Sequence, residues 1–146
     1  MELKKFYLHG SILDVGSKKS SSNVTNYINN NKNITYLDKF SDDPKDLNID
    51  LEEKYNGDEK NKFDNVILLN VLEHIYNYQN CLDNCSYFLK EKGIILGSTP
   101  FLYQIHGSPD DFFRYTSNAL FKSLKKSGFN EINVKVLAGG IFTSFY

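Results

Sequence analysis

The clearest hydrophobic pattern in the chain is the unbroken apolar run Val66–Leu69 inside FDNVILLNVLEHI, residues 63–75. Such a run is too short for a comfortable helix and predicts a strand covered on both faces, as in a parallel sheet. Asn70, Glu73 and His74 follow at once, beyond the carboxyl end of that strand, the edge at which open α/β sheets bind ligands. Other strand signals are SILDV (11–15) ending at Gly16, ITYL (34–37) closed by Asp38, GIILGS (93–98) and the alternating segment 130–137. A brief apolar patch in the polar stretch 42–62, LNIDL (47–51), predicts a further edge strand. Helical spacing covers residues 78–91, with Cys81, Leu82, Cys85, Phe88 and Leu89 on one face and Lys92-Gly93 as the stop. Residues 117–127 predict a second helix, capped by Thr116 or Ser117 and closed by Gly128. Residues 20–31 predict a weak polar one, with serines at its start.

Strand and helix signals alternating with short connections predict one doubly wound α/β domain over residues 1–146. Its sheet is mostly parallel, of six to seven strands, with helices on both faces. With 146 residues, 40% of them hydrophobic, the chain is long enough to bury a core. A net charge of about −1 supplies no field for nucleic acid or an anionic membrane. No apolar run approaches the roughly 20 residues that span a bilayer, and the amino terminus has no signal-peptide pattern, so a cytoplasmic protein is expected. Cys81 and Cys85, one helical turn apart, suit neither a disulfide nor a zinc site and read as reduced thiols.

A glycine directly after a strand lets the backbone approach a ligand, and Gly16 holds that place. Asp38, at the end of the next strand, stands at about the offset where a carboxylate accepts hydrogen bonds from ribose hydroxyls. Asp50 and Asn70 add polar groups at two further strand ends on the same sheet edge. Arg114 is the single arginine beside sixteen lysines. Its rigid donor fork, which lysine cannot imitate, marks it for a specific pairing or ligand role.

Taken in order, ILDVGS, YLD, FDNVILLNVLEHI, LKEKGIIL and SGF resemble the class I S-adenosylmethionine-dependent methyltransferases, over nearly the whole chain from Ser11 onward. HGSPDDFFRYT (106–116) resembles a branch of small methyltransferases associated with sugar and polysaccharide biosynthesis. The resemblance implies S-adenosylmethionine as cofactor. Asp14 and Gly16 would form the loop under its methionine part, Asp38 would hold the ribose hydroxyls, Asp50 and Leu51 would lie beside the adenine, and Asn70 would sit near the sulfonium. It further implies methyl transfer to a hydroxyl or amine of a small molecule, such as a sugar derivative. The chain departs from the family's GxGxG loop, with Lys18 and Ser20 in the later glycine places. That departure keeps open an alternative, a degenerate domain of this fold that binds a nucleoside or partner without turnover.

Glu73-His74 has three readings. Some methyltransferases hold Mg²⁺ with an E-x-x-E-H pattern and a distant histidine, but Asn70 replaces the first Glu here. One carboxylate with two imidazoles suits Mg²⁺ poorly, so no metal is expected. His74 or His106 could instead act as general base, His106 the stronger candidate on its loop beside Gly107. In the third reading Glu73 and His74 start a helix and bond backbone or Arg114. In SPDDFFRYT, Pro109 stiffens a lid, Phe112 and Phe113 anchor it, and Arg114 pairs with Asp110, Asp111 or Glu73. His106, Tyr103 and Tyr115 are expected to face the substrate. The catalytic candidates are thus His106, His74 and Arg114. The chain begins about ten residues before the first strand and stops at IFTSFY, shorter at both ends than the family. An exposed apolar tail there predicts a homodimer, or a gene fragment of a longer ancestor.

Overall fold

A computed structural model of the chain describes residues 8–19, 33–107, 109–137 and 142–145. The strands are β1 (Ile12–Val15), β2 (Ile34–Leu37), β3 (Phe63–Leu69), β4 (Leu89–Pro100), β5 (Val134–Leu137) and β6 (Phe142–Phe145). The helices are α1 (Tyr78–Phe88) and α2 (Ser117–Lys126), with a 3-10 turn at Leu72–His74. The strands form one sheet in the order β2-β1-β3-β4-β6-β5. The first four are parallel, and β6 runs antiparallel to both β4 and β5. Val15 pairs with Leu37 on one side and Leu68 on the other, so the carboxyl ends of β1, β2 and β3 finish near one level.

Alternation along β1 and β3 divides their side chains between two faces. Leu13, Val15, Val66 and Leu68 join Leu72, Cys81, Leu82, Cys85, Phe88, Leu120 and Leu124 in the main core. Ile12 and Ile67 pack with Leu8 in a second, smaller cluster. Both described helices therefore serve one core. The helix expected at residues 20–31 lies outside the described residues. Cys81 and Cys85 are buried, free thiols, as their place on the apolar stripe of α1 implies. Among the described residues no helix is long and apolar enough to cross a membrane.

Three expectations are corrected. Residues 47–51 form no strand; the segment touches β2 through one bridge, Leu37 to Leu47. Leu47 makes both backbone bonds of that bridge, to the Tyr36 carbonyl and from Asp38 N–H. Beyond it the backbone of residues 51–55 is held by side-chain amides at and just before α1. Asn84 Nδ2 donates to the carbonyls of Leu51 and Glu53 (3.2 and 2.8 Å), and its Oδ1 accepts from Tyr55 N–H at 2.9 Å. Asn77 and Asn80 both donate to the Glu52 carbonyl. Those side chains satisfy backbone groups that a sheet ladder would otherwise serve. Second, α1 ends at Phe88, three residues early, because Leu89 turns extended and enters β4 opposite Phe63. Third, residues 142–145 are no loose tail but a strand between β4 and β5.

Thr116 caps α2 as expected, its Oγ1 accepting from Ala119 N–H at 3.2 Å. Gly128, with φ +91°, closes the helix.

Candidate functional site

A cleft of about 530 Å³ opens at the carboxyl ends of β1, β2 and β3. Its lining includes Gly16, Asp38, Asp50, Leu51, Asn70 and His74, six of the residues singled out from the sequence. Gly16 turns the chain out of β1 with φ +70°, while its N–H donates to the Leu37 carbonyl at 2.8 Å. Asn70 makes the equivalent turn after β3 with φ +53°, a left-handed conformation that Asn tolerates better than most residues. The Asn70 N–H donates to the Ser98 carbonyl (2.8 Å), and Asn70 Oδ1 accepts from Ser98 Oγ (3.0 Å). The amide N–H groups of Asn70 are then its remaining donors.

Asp38 Oδ1 accepts from Phe40 N–H at 2.7 Å, a local turn that fixes the carboxylate at the cleft. Asp50 is more heavily engaged: Oδ1 accepts from Glu52 N–H at 3.0 Å, and Oδ2 lies 3.4 Å from Lys39 Nζ. Leu51 gives the cleft an apolar floor beside them, since it is buried in the main core and lines the cavity. Lys18 also lines the cleft, and its ammonium donates to the Phe40 carbonyl, tying the turn after β1 to the turn after β2.

Asp14 is placed differently. It lies within β1, 1% exposed, paired with Tyr36 and Ile67, and it is not part of the cleft lining. Its negative charge, after burial itself, helps push the Tyr36 hydroxyl pKa up.

His106 and Arg114 also stand outside the lining, in the segment 103–114 that leads away from β4. Arg114 grips Asp111 with both terminal nitrogens, Nη2 at 2.7 Å from Oδ2, and donates to the carbonyls of Phe113 and Gln104. These hydrogen bonds stay within the loop, on the Asp111 carboxylate and on backbone carbonyls. The Arg114 hydrogen bonds, against some opposition from burial, hold the Asp111 carboxyl far below its ordinary range. Phe113 packs against the core, whereas Phe112 is 43% exposed and lines the cleft. Tyr115, expected to face substrate, is instead a core residue. It is 5% exposed, its hydroxyl donates to the Leu72 carbonyl at 3.0 Å, and burial pushes its pKa up.

Glu73 is the residue that sequence reasoning undervalued. It is fully buried in the 3-10 turn beyond β3 and makes no pair with Arg114. Its Oε2 lies 3.5 Å from Thr99 Oγ1, and its Oε1 has no hydrogen-bond partner among the described residues. Burial is the largest influence on its carboxyl and pushes the pKa up. The Nε2 atoms of His74 and His106 lie 3.8 and 3.9 Å from Oε1. The backbone carbonyl of Glu73 accepts from Phe112 N–H at 2.7 Å, locking the turn to the 109–114 loop. Adjacency of the ends of β3 and β4 creates this cluster, and no local motif spans it.

No family model and no curated protein matches the chain. Solved structures do. The chain is similar to the 1,6-didemethyltoxoflavin N1-methyltransferase of Burkholderia thailandensis, solved with S-adenosylhomocysteine, at 14% identity and a TM-score of 0.69, covering 92% of this chain and 68% of that one. It is similar to the CurJ carbon methyltransferase at 17% identity and a TM-score of 0.65, over 92% of this chain and 47% of that one. The [4+2]-cyclase SpnF aligns at 17% identity and a TM-score of 0.60, over 85% and 53%. The chain thus spans about half the length of CurJ and SpnF. These similarities show the α/β fold of methyltransferase structures, four parallel strands with helices.

Proposed function

We propose that the chain binds S-adenosylmethionine in the cleft and transfers its methyl group to a hydroxyl or amine of a small molecule, a sugar derivative being the leading class. The observation that carries this reading is the order of groups along the cleft. A glycine turn follows β1, an aspartate follows β2, an acidic-apolar pair follows at 50–51, and an asparagine follows β3. The Gly16 backbone leaves room for the methionine part, and Asp38 keeps Oδ2 for ribose hydroxyls while Oδ1 holds its turn. Leu51 offers an apolar surface to the adenine, and the Asn70 amide lies toward the sulfonium end.

His74, Pro109 and Phe112 also line the cleft, and in this reading an acceptor enters beside them. Catalysis in this reading is in-line placement of the acceptor against the sulfonium methyl, which converts a bimolecular step into an oriented one. Proton removal is assigned to neither histidine, because both Nε2 atoms face Glu73 Oε1.

One observation favours a second reading, binding without turnover. Lys18 stands where the related loops carry glycine, and its side chain lines the same cleft. Calorimetric titration with S-adenosylmethionine and S-adenosylhomocysteine tests the first reading. Saturable binding that Asp38→Ala weakens by at least about tenfold, worth about 1.4 kcal/mol, supports the cofactor site. No heat at millimolar cofactor overturns it. Binding without transfer to any of a panel of sugar and amine acceptors supports the second reading.

A further inference from the structure

We propose that Glu73, His74 and His106 form a binding site for one divalent first-row transition-metal ion, Zn²⁺ or Fe²⁺. The proposal shares only His74 with the cleft and does not rest on the methyl-transfer reading.

Three observations support it. First, one carboxylate oxygen and two imidazole nitrogens converge, all within 4.8 Å of one another. Ligands about 2.1 Å from a common cation stand about 3–3.5 Å apart. The two carboxylate–imidazole distances of 3.8 and 3.9 Å must therefore shorten by several tenths of an ångström and the widest pair by roughly 1–2 Å, within reach of side-chain rotation on the His106 loop. Second, Glu73 Oε1 is a fully buried oxygen without a hydrogen-bond partner among the described residues. At 3.8 and 3.9 Å neither imidazole is close enough to satisfy it directly. A cation between the three atoms satisfies all of them at once.

Third, the outer partners of both rings are in place. His74 Nδ1 lies against the Asp110 carbonyl, which only accepts, so this nitrogen carries the proton and Nε2 presents its lone pair toward Glu73. His106 Nδ1 lies 3.1 Å from Asp111 Oδ2 and 3.2 Å from the Gln104 carbonyl, again acceptors only. Asp111 is itself clamped by Arg114 and accepts from His106 N–H at 2.9 Å. A carboxylate or carbonyl behind each ligating imidazole is the arrangement that fixes tautomer and orientation at metal centres. Arg114 thereby acquires a use: it positions Asp111, which positions His106.

The donor set selects the ion. Two imidazoles and one carboxylate suit zinc or ferrous iron, whereas Mg²⁺ and Ca²⁺ require mostly oxygen ligands. Three protein ligands leave at least one coordination position open.

The test is titration of the chelator-stripped full chain with Zn²⁺, Co²⁺ and Mg²⁺, followed by calorimetry and by the visible ligand-field bands of Co²⁺. One Zn²⁺ per chain is expected, with Co²⁺ bands that Zn²⁺ abolishes and with Mg²⁺ far weaker. Glu73→Gln and His106→Ala should each lower Zn²⁺ affinity by more than about 100-fold, beyond the typical effect of losing an outer partner. His106→Ala alters a partly exposed loop residue, so it keeps the test open should Glu73→Gln fail to fold. Replacing Cys81 and Cys85 by serine should leave affinity unchanged. Absence of saturable Zn²⁺ binding, tighter Mg²⁺ than Zn²⁺ binding, or affinity unchanged in His106→Ala overturns the proposal.

Discussion

A methyl group placed on Gly16 would lie 2.5 Å from Cγ2 of Val71. The turn after β1 thus rests directly on the residue that follows Asn70, and the two strand-end turns support each other. With φ at +70°, any L side chain at position 16 adds left-handed strain to that collision. Gly16→Ala is expected to cost about 2 kcal/mol in urea unfolding. Adding Val71→Ala should return part of that loss, through the steric component alone. If the double variant is no better than the sum of the singles, the contact does not limit the turn.

Arg114→Lys keeps the charge but loses the planar fork and the second donor to Asp111. A loss of about 2 kcal/mol in stability is expected, within the range of hydrogen bonds to charged groups. Faster amide exchange should be confined to residues 103–107 and 110–114. Uniformly faster exchange across α1 and β3 would show that the pair supports the core instead of the loop.

Asn84→Ala removes three hydrogen bonds at once and leaves the Tyr55 N–H and the Leu51 and Glu53 carbonyls without that partner. The expected cost is about 3 kcal/mol. If Leu51 forms the adenine floor, nucleoside affinity should fall with it. Asn84→Asp keeps the acceptor for Tyr55 N–H and should be milder only if that bond dominates.

Much of the frame was legible in the chain because it depends on local pattern. The apolar run Val66–Leu69, the glycine after Val15, the Asp after Leu37 and the Thr116 cap each declare themselves within a few residues. The main errors arose where distant groups decide. LNIDL has strand composition, yet only Leu47 pairs with β2, and distant asparagines at α1 hold the backbone from Leu51 to Tyr55. Tyr115 looked like a loop residue because its partners, Leu72 and Tyr78, lie far back in the sequence. The Glu73, His74 and His106 cluster depends on β3 and β4 ending side by side, which no single segment encodes.

Asp64 yields a prediction in pH. The Lys90 ammonium, then the Ser11 N–H and hydroxyl, hold its carboxyl down to about 2, from an ordinary 3.8. A depressed carboxylate stabilises the fold above its unfolded value and loses that contribution as pH falls through the folded value. The effect should therefore be complete above about pH 5 and fade between about pH 4 and pH 2. Asp64→Asn should flatten stability in that window, and added salt should shrink the difference, since the pair is exposed. A wild-type slope unchanged in Asp64→Asn would remove Asp64 from the account.

Strand β6 lies between β4 and β5, although it is synthesised after both of them. Until residue 145 exists, β5 lacks the strand that joins it to the sheet, and β4 presents residues 97–100, next to Asn70, as an open edge. The spatial order reverses the temporal one, so this end of the sheet closes by insertion rather than by growth. Long-range pairing of that kind is slow, and a waiting edge is a template for other chains. The nascent polypeptide is therefore most exposed to misassociation while the strand beside its cleft is still incompletely bordered.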